Sequence, residues 1–302
     1  MVKYLELYSK SWHELHGQMK RRDDYPERTI LTTWQISFDE VERRDIRAAK
    51  LLQLWGYLDN QELWYQLLKW PGWENNRPDW LQQIAANEIS FLAAVGILLD
   101  FSLVEQNENS DSYSMHAVVH DWIQASVNTR THDDFLQTAM TTIGLAVLPE
   151  NTGDFATIQR RLLPHLAQLL QFWDYSSDIQ NNKDSAIYLY SLHMLGCLCT
   201  DQGKLDEAEQ MYQQALQGKE KTWGPEHTST LDTVNNLGLL YASQGKLDEA
   251  EQMYQRALQG YEKAWGPEHT STLRTVNNLG LLYVSQGKLD EAEQMYQRAR
   301  RS

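Results

Sequence analysis

Cysteine is nearly absent. The 302 residues hold two, Cys197 and Cys199, standing two positions apart. On a helix that spacing makes the side chains diverge, so neither a disulfide nor a zinc site is expected, and both read as buried thiols in a reducing, intracellular setting. Positive charge is also short. Lys and Arg number 27 against 41 Asp and Glu, a formal net charge of −14. A nonspecific nucleic-acid binder or an anionic-membrane binder needs a basic face, so neither partner is expected. Long apolar runs are missing too. The stretch Ile89–Phe101 (ISFLAAVGILLDF) is shorter than the ~20 residues that span a bilayer, and it reads as a buried helix. The start, MVKYLELYSKSWHEL, lacks the apolar core of a signal peptide, and a cytoplasmic location is expected. Neither G-x-x-x-x-G-K-[ST] nor G-x-S-x-G occurs. The chain is therefore expected to bring no catalytic site, no metal and no cofactor of its own.

What it does have is one text written three times. Gly196, Gly238 and Gly280 mark equivalent points, with 238 − 196 = 42 and 280 − 238 = 42. The 35 residues from Pro225 and those from Pro267 differ only at 232/274, 242/284, 258/300 and 259/301. A fixed period of this size predicts a stacked helical array, because one helix pair cannot bury its apolar face alone. Within a copy, Val234, Leu237, Leu240 and Tyr241 recur at helical spacing. Gly245 in SQGKLDEA ends that helix, and a second buries Leu247, Ala250, Tyr254 and Ala257. Pro267 stops the second helix, and Thr270 or Ser271 is expected to cap the next.

Leu237, Gly238, Tyr241, Ala250, Tyr254 and Ala257 resemble the tetratricopeptide signature. So do Leu279, Gly280, Tyr283, Ala292, Tyr296 and Ala299, and so do Leu195, Gly196, Ala208, Tyr212 and Ala215, with Cys199 where Tyr is usual. The period exceeds the usual ~34 and is similar to the kinesin-light-chain variety. That resemblance implies a concave surface, lined by the first helix of each pair, that binds a protein or peptide. Its positions carry over to Tyr190, His193, Met194, Cys197 and Thr200 in the first copy. They are Asp232, Asn235, Asn236, Leu239 and Ala242 in the second, and Arg274, Asn277, Asn278, Leu281 and Val284 in the third. Asn donates and accepts together, so it can hold a peptide backbone, although the Asn pairs can equally be helix caps or solvent-exposed. Asp232/Arg274 and Ala242/Val284 fall on these positions, so the differences between copies are expected to tune ligand choice.

Upstream, helices are expected over Tyr4–Met19, Thr32–Val41, Ala48–Leu58 and Leu63–Trp70, and one long helix over Trp80–Phe101. Ser102–Glu105 and Tyr113–His116 read as a hairpin, followed by a helix to Ser126. TTWQISFDEV, AAKLLQLWGYLD and YSMHAVVHDW resemble the winged-helix domain that follows the nucleotide-binding module in NB-ARC proteins of the STAND class. Joined to repeats of this kind, they look like the fungal members. Met115-His116 then stands at that family's Met-His-Asp motif, with Ala117 in place of Asp. The resemblance implies nucleotide sensing by His116, with ADP or ATP held only by a module upstream of this chain. His116 and His120 can also be ordinary residues of a strand–helix junction. Their i, i+4 spacing lacks the Glu of H-E-x-x-H, so no hydrolytic zinc site is expected.

The expected architecture is mainly α: a winged-helix-like domain followed by a tetratricopeptide solenoid. Residues 1–28 read as the helical tail of an upstream module, 29–130 as the winged-helix-like domain and 131–184 as a helical connector. Residues 185–302 are then three repeats, the last truncated. The function this implies is the sensing and regulatory part of a signal-transduction protein, able to form a homo-oligomer when full-length. A kinesin-light-chain-like cargo adaptor is the alternative, and it would need a heptad coiled coil upstream, which is not visible. A DNA-binding winged helix would need basic residues on its recognition helix, and Leu81–Leu98 has none.

Overall fold

The computed structural model describes residues 27–69, 77–108, 110–126, 129–148, 152–173 and 185–301. The expected helix over Tyr4–Met19 and the polar loop over Ser176–Asp184 lie outside the described residues.

The N-terminal part begins with α1 (Glu27–Arg44) and α2 (Ile46–Trp55). Asp45 separates them by capping α2, its carboxylate accepting from the Arg47 N–H at 2.9 Å. Helix α2 runs through the core and buries Ala48, Leu51, Leu52, Leu54 and Trp55. Three short strands follow in the order β1–β3–β2: β1 is Leu63–Trp64, β2 is Glu105–Gln106 and β3 is Ser112–Ser114. The register pairs Leu63 with Tyr113 and Gln106 with Tyr113, all antiparallel. Helices α3 (Asp79–Ala85) and α4 (Glu88–Asp100) stand between β1 and β2, and α5 (Ala117–Ser126) follows β3. This is the element order of a winged helix.

Three expectations fail here. No α-helix forms over Leu63–Lys69: Leu63–Trp64 is strand β1 and Tyr65–Leu68 a 3₁₀ turn, while Trp70 lies outside the described residues. Two residues have no pattern of their own, and the strand exists because Tyr113 pairs with it. The single helix over Trp80–Phe101 is two, bent by 107°. Asn87 takes an extended backbone (φ −157°) and its side chain accepts from the Ser90 N–H, an alternative that short amide side chains offer to the helix ladder. The first hairpin strand also sits later than expected, at Glu105–Gln106 instead of Ser102–Glu105.

Helices α6 (Thr129–Ala146) and α7 (Phe155–Trp173) join the two halves. Pro164 lies inside α7 without ending it. Helix α7 is held at both ends. Near its start Arg161 pairs with Glu62 at 2.8 Å and lies 3.8 Å over the Trp64 ring. His165 accepts from the Asp59 N–H at 3.0 Å. At its other end the Trp173 indole donates to Gln210 at 2.9 Å, and near its start Gln159 donates to Asp201 at 2.7 Å. Helix α6 packs on the first repeat so closely that a Cβ on Gly144 would stand 2.5 Å from the Ser191 carbonyl.

The array comprises three helix pairs: α8 (Ala186–Asp201) with α9 (Leu205–Trp223), α10 (Thr228–Ser243) with α11 (Leu247–Trp265), and α12 (Thr270–Ser285) with α13 (Leu289–Arg301). Gly245, at φ +75°, closes α10. The following Lys246 N–H reaches back to Tyr241 O at 2.9 Å, a Schellman closure. Gly238 lets the paired helices touch, since an added Cβ would meet the Tyr254 ring at 2.8 Å. The expected Thr/Ser caps are replaced by histidine. His227 and His269 accept from the Ser229 and Ser271 N–H groups through Nδ1 at 3.2 Å, and each packs on the preceding tryptophan.

Candidate protein-interaction groove

The first helices α8, α10 and α12 carry every position expected to line the concave surface. Their exposure separates these positions into two sets. Tyr190, Leu239, Arg274, Asn277, Leu281 and Val284 are exposed, and Ala242, Met194, Cys197 and Thr200 are partly so. On α12, Arg274, Asn277, Leu281 and Val284 are spaced three, four and three apart, which is one face of a helix.

His193 and Asn235 are not ligand contacts but buried joints between consecutive first helices. Asn235 is 2 % exposed, and its carbonyl oxygen accepts from Thr275 at 3.1 Å and from Asn278 at 3.4 Å. One repeat earlier His193 does the same work with Thr233 (3.1 Å) and Asn236 (3.4 Å). Asn236 and Asn278 are therefore the donors of these joints. Asn277 has the same neighbours in sequence as Asn235, yet it is exposed. Burial pushes the His193 imidazole down to about 3, helped by the charges of Lys219 and Arg274. It is neutral in the fold.

Asp232 is also engaged. The Tyr261 hydroxyl donates to it at 2.6 Å, and Arg274 and Lys219 lie close enough to be felt electrostatically. Lys219 is 1 % exposed and donates to Ser229 O at 3.1 Å and Thr233 Oγ1 at 2.9 Å. Burial lowers its ammonium to about 8. Lys219, Asp232, Tyr261 and Arg274 thus stand in a line where the second helices meet the first helices. Lys219 and Tyr261 are 42 apart and differ, as Asp232 and Arg274 do. That paired change was the signal available in the sequence, but position 219 lies outside the two 35-residue blocks that align most closely, so Lys219 and Tyr261 were missed.

A second joint links each second helix to the next pair. Glu209 accepts from Tyr241, Gln244 and Lys246, and Glu251 accepts from Tyr283, Gln286 and Lys288. The Lys288 bond, foremost, holds the Glu251 carboxyl below its usual range. These residues were also missed, since a charged surface face is the ordinary reading of LDEAEQ.

His116 is exposed at the start of α5, its Nδ1 accepting from the Val118 N–H at 3.3 Å. His120 points the other way and bonds Leu58 O at 2.8 Å inside the core. The two rings therefore do not converge. Among the described residues no group of three or more His, Cys, Asp or Glu could hold a metal ion. Cys197 and Cys199 are both free, and burial pushes the Cys199 thiol up to about 12. Among the described residues no single helix is long and apolar enough to cross a membrane.

Three stretches of the chain match known family models. Residues 189–229 and 224–302 match models described as tetratricopeptide repeat, and residues 39–132 match a domain of unknown function (DUF7779). A nucleotide-binding leucine-rich repeat (NLR)-like protein of Hyaloscypha variabilis is 25 % identical in an alignment of length 249 that covers 77 % of this chain. The chain spans only 22 % of that relative's length. Among solved structures, BtubC (BKLC) from P. vanneervenii is 20 % identical, with a TM-score of 0.41 over 74 % of this chain and 91 % of its own. A kinesin-light-chain-like protein of Podosopora anserina with nearly identical repeats is 18 % identical, with a TM-score of 0.44 over 78 % and 91 %. Residues 189–302 thus match tetratricopeptide-repeat models, and the chain is similar to an NLR-like protein.

Proposed function

We propose that this chain is the sensing and regulatory part of an NB-ARC–tetratricopeptide signal-transduction protein. In this reading a protein or peptide lies along α8, α10 and α12, against Tyr190, Leu239, Arg274, Leu281 and Val284. The N-terminal helix–sheet domain passes the event to a nucleotide-binding module elsewhere in the full-length protein, where ADP or ATP is held. His116, exposed at the start of α5, is the residue turned to that nucleotide. The reading assigns the chain no reaction of its own and gives it a cytoplasmic place, with neither nucleic acid nor membrane as partner.

The observation that supports it is the pairing of an open apolar and polar strip on the first helices with a match to an NLR-like protein that runs through both halves. A photo-cross-linking residue at Leu239 or Leu281, in the full-length protein in its native cells, should capture a partner. The same residue at Gln252 or Gln294, exposed on the second helices, should not. Equal capture from both faces, or none from the first helices, would sink the groove reading. Loss of co-purified ADP in a His116→Ala variant tests the nucleotide half separately.

A further inference from the structure

Repeats this alike bring a hazard during folding. Helices α9 and α11 differ only at 214/256, 219/261 and 222/264, and α10 and α12 only at 232/274 and 242/284. Helix α9 receives α10, yet α12 offers it almost the same surface. Glu209 accepts from Tyr241, Gln244 and Lys246, and Tyr283, Gln286 and Lys288 stand at the same places one repeat later. Thr233, which meets His193, has its counterpart in Thr275. A chain whose third repeat docks on the first, with the second left out as a loop, would recover nearly every contact of that joint. It contains one repeat fewer than the native fold, so it is a trap and not the end state. Misassembly of this kind is characteristic of repeat proteins, and the cost of closing a loop grows only slowly with its length.

One pair of positions removes the ambiguity. Lys219 is shut into the α9–α10 joint, where it donates to Ser229 O at 3.1 Å and to Thr233 Oγ1 at 2.9 Å. Asp232 stands between these two partners in sequence, and its charge favours the ammonium. On α12 the same position is Arg274. Docked on α9, it would set a guanidinium against an ammonium that water does not screen, and such like charges repel strongly. In its proper place Arg274 meets no such neighbour. There α11 offers Tyr261 where α9 offers Lys219, and the Tyr261 hydroxyl bonds Asp232 at 2.6 Å.

We infer that Lys219, with Asp232 and Arg274, fixes the order of the repeats: α9 accepts the helix that carries Asp232 and turns away the one that carries Arg274. A tyrosine at 219 would fill the joint, as Tyr261 does one repeat later, without the cost of burying a charge. It would not, however, tell α10 from α12. The device is independent of what the groove binds.

Pulse-labelling hydrogen exchange during refolding of the full chain from urea tests this, read peptide by peptide in a mass spectrometer. The trapped species is the one in which α12 and α13 are protected while α10 and α11 are not. It should be scarce in the wild type. Arg274→Asp gives α12 the residue that α9 accepts and should raise the trapped fraction about tenfold or more. Lys219→Met removes the charge that discriminates and should raise it likewise. Arg274→Lys keeps the repulsion and should behave as the wild type. The exchange pattern at equilibrium should match the wild type in all three variants, which separates trapping from a failure to fold. Equal amounts of the trapped species in all four proteins, or none in any, overturn the inference. So does an Arg274→Lys variant that traps as often as Arg274→Asp, or trapping in Arg274→Asp that Lys219→Met does not share.

Discussion

Lys219 is an ammonium group shut away from water between α9 and α10, and its burial has a measurable signature. Held near 8 in the fold against 10.5 in the open chain, it loses its proton earlier when folded. Between those values the unfolded state binds more protons, so stability rises with pH from about 8 towards 10.5, and below 8 the whole penalty is present. Buried tyrosines and Cys199 pull the other way at high pH, because the fold keeps protons that the open chain releases. The informative quantity is therefore the difference in unfolding free energy between the wild type and Lys219→Met. It should move in favour of the wild type by up to about 3 kcal/mol across that range, as read by urea denaturation at a series of pH values. A flat difference would mean that Lys219 is solvated. A second pair of substitutions tests the joints. Asn235→Ala strands Thr275 and Asn278 and should cost about 1–3 kcal/mol, while Asn277→Ala should be close to neutral. At this scale the sequence is least informative. Asn235 and Asn277 have identical neighbours, and the only thing that buries one of them is the helix stacked beside it.

Helices were far more legible than side-chain roles. The 42-residue period and the glycine that closes each first helix could be read directly, because they depend on residues close in sequence. The boundaries that escaped depend on distant partners or on one side chain: β1 needs Tyr113, and the α3–α4 corner needs Asn87. The tight contacts make a paired prediction. Gly238→Ala drives a methyl to 2.8 Å from the Tyr254 ring, so despite alanine's better helix propensity it should destabilise by about 1–3 kcal/mol. Gly96→Ala in α4 meets nothing within 4 Å and should stabilise by about 0.5–1 kcal/mol. Thermal denaturation of the two variants separates steric contact from propensity. Similar effects in both would remove the packing explanation.

For the whole molecule, the core is divided unevenly. One continuous cluster runs from Phe38 through α7 and the first repeat to Leu240, whereas the contact between the second and third repeats is a separate cluster around Tyr254 and Val276. Repeat arrays open piecewise, along their weakest nearest-neighbour contacts. Amide exchange should accordingly report α12 and α13 opening first, with α2, α7 and α9 protected together. Protection that is uniform from α2 to α13 would contradict this division. The sequence marked residues 131–184 as a connector, but it could not say that the connector is clamped to both sides. Those clamps, Arg161–Glu62 and Trp173–Gln210, join residues 99 and 37 apart.

Because α7 is held at Arg161 and at Trp173, it acts as a shaft with fixed phase. Twelve residues separate the two grips, about 18 Å of axial length and a defined twist of about 100° per residue. A single residue inserted between Leu166 and Leu169 would barely lengthen the shaft, but it would turn the Trp173 end by that whole step and set its hold on Gln210 out of phase with the Gln159–Asp201 bond on the same repeat. The fit of α7 to the first repeat is thus counted in helical steps.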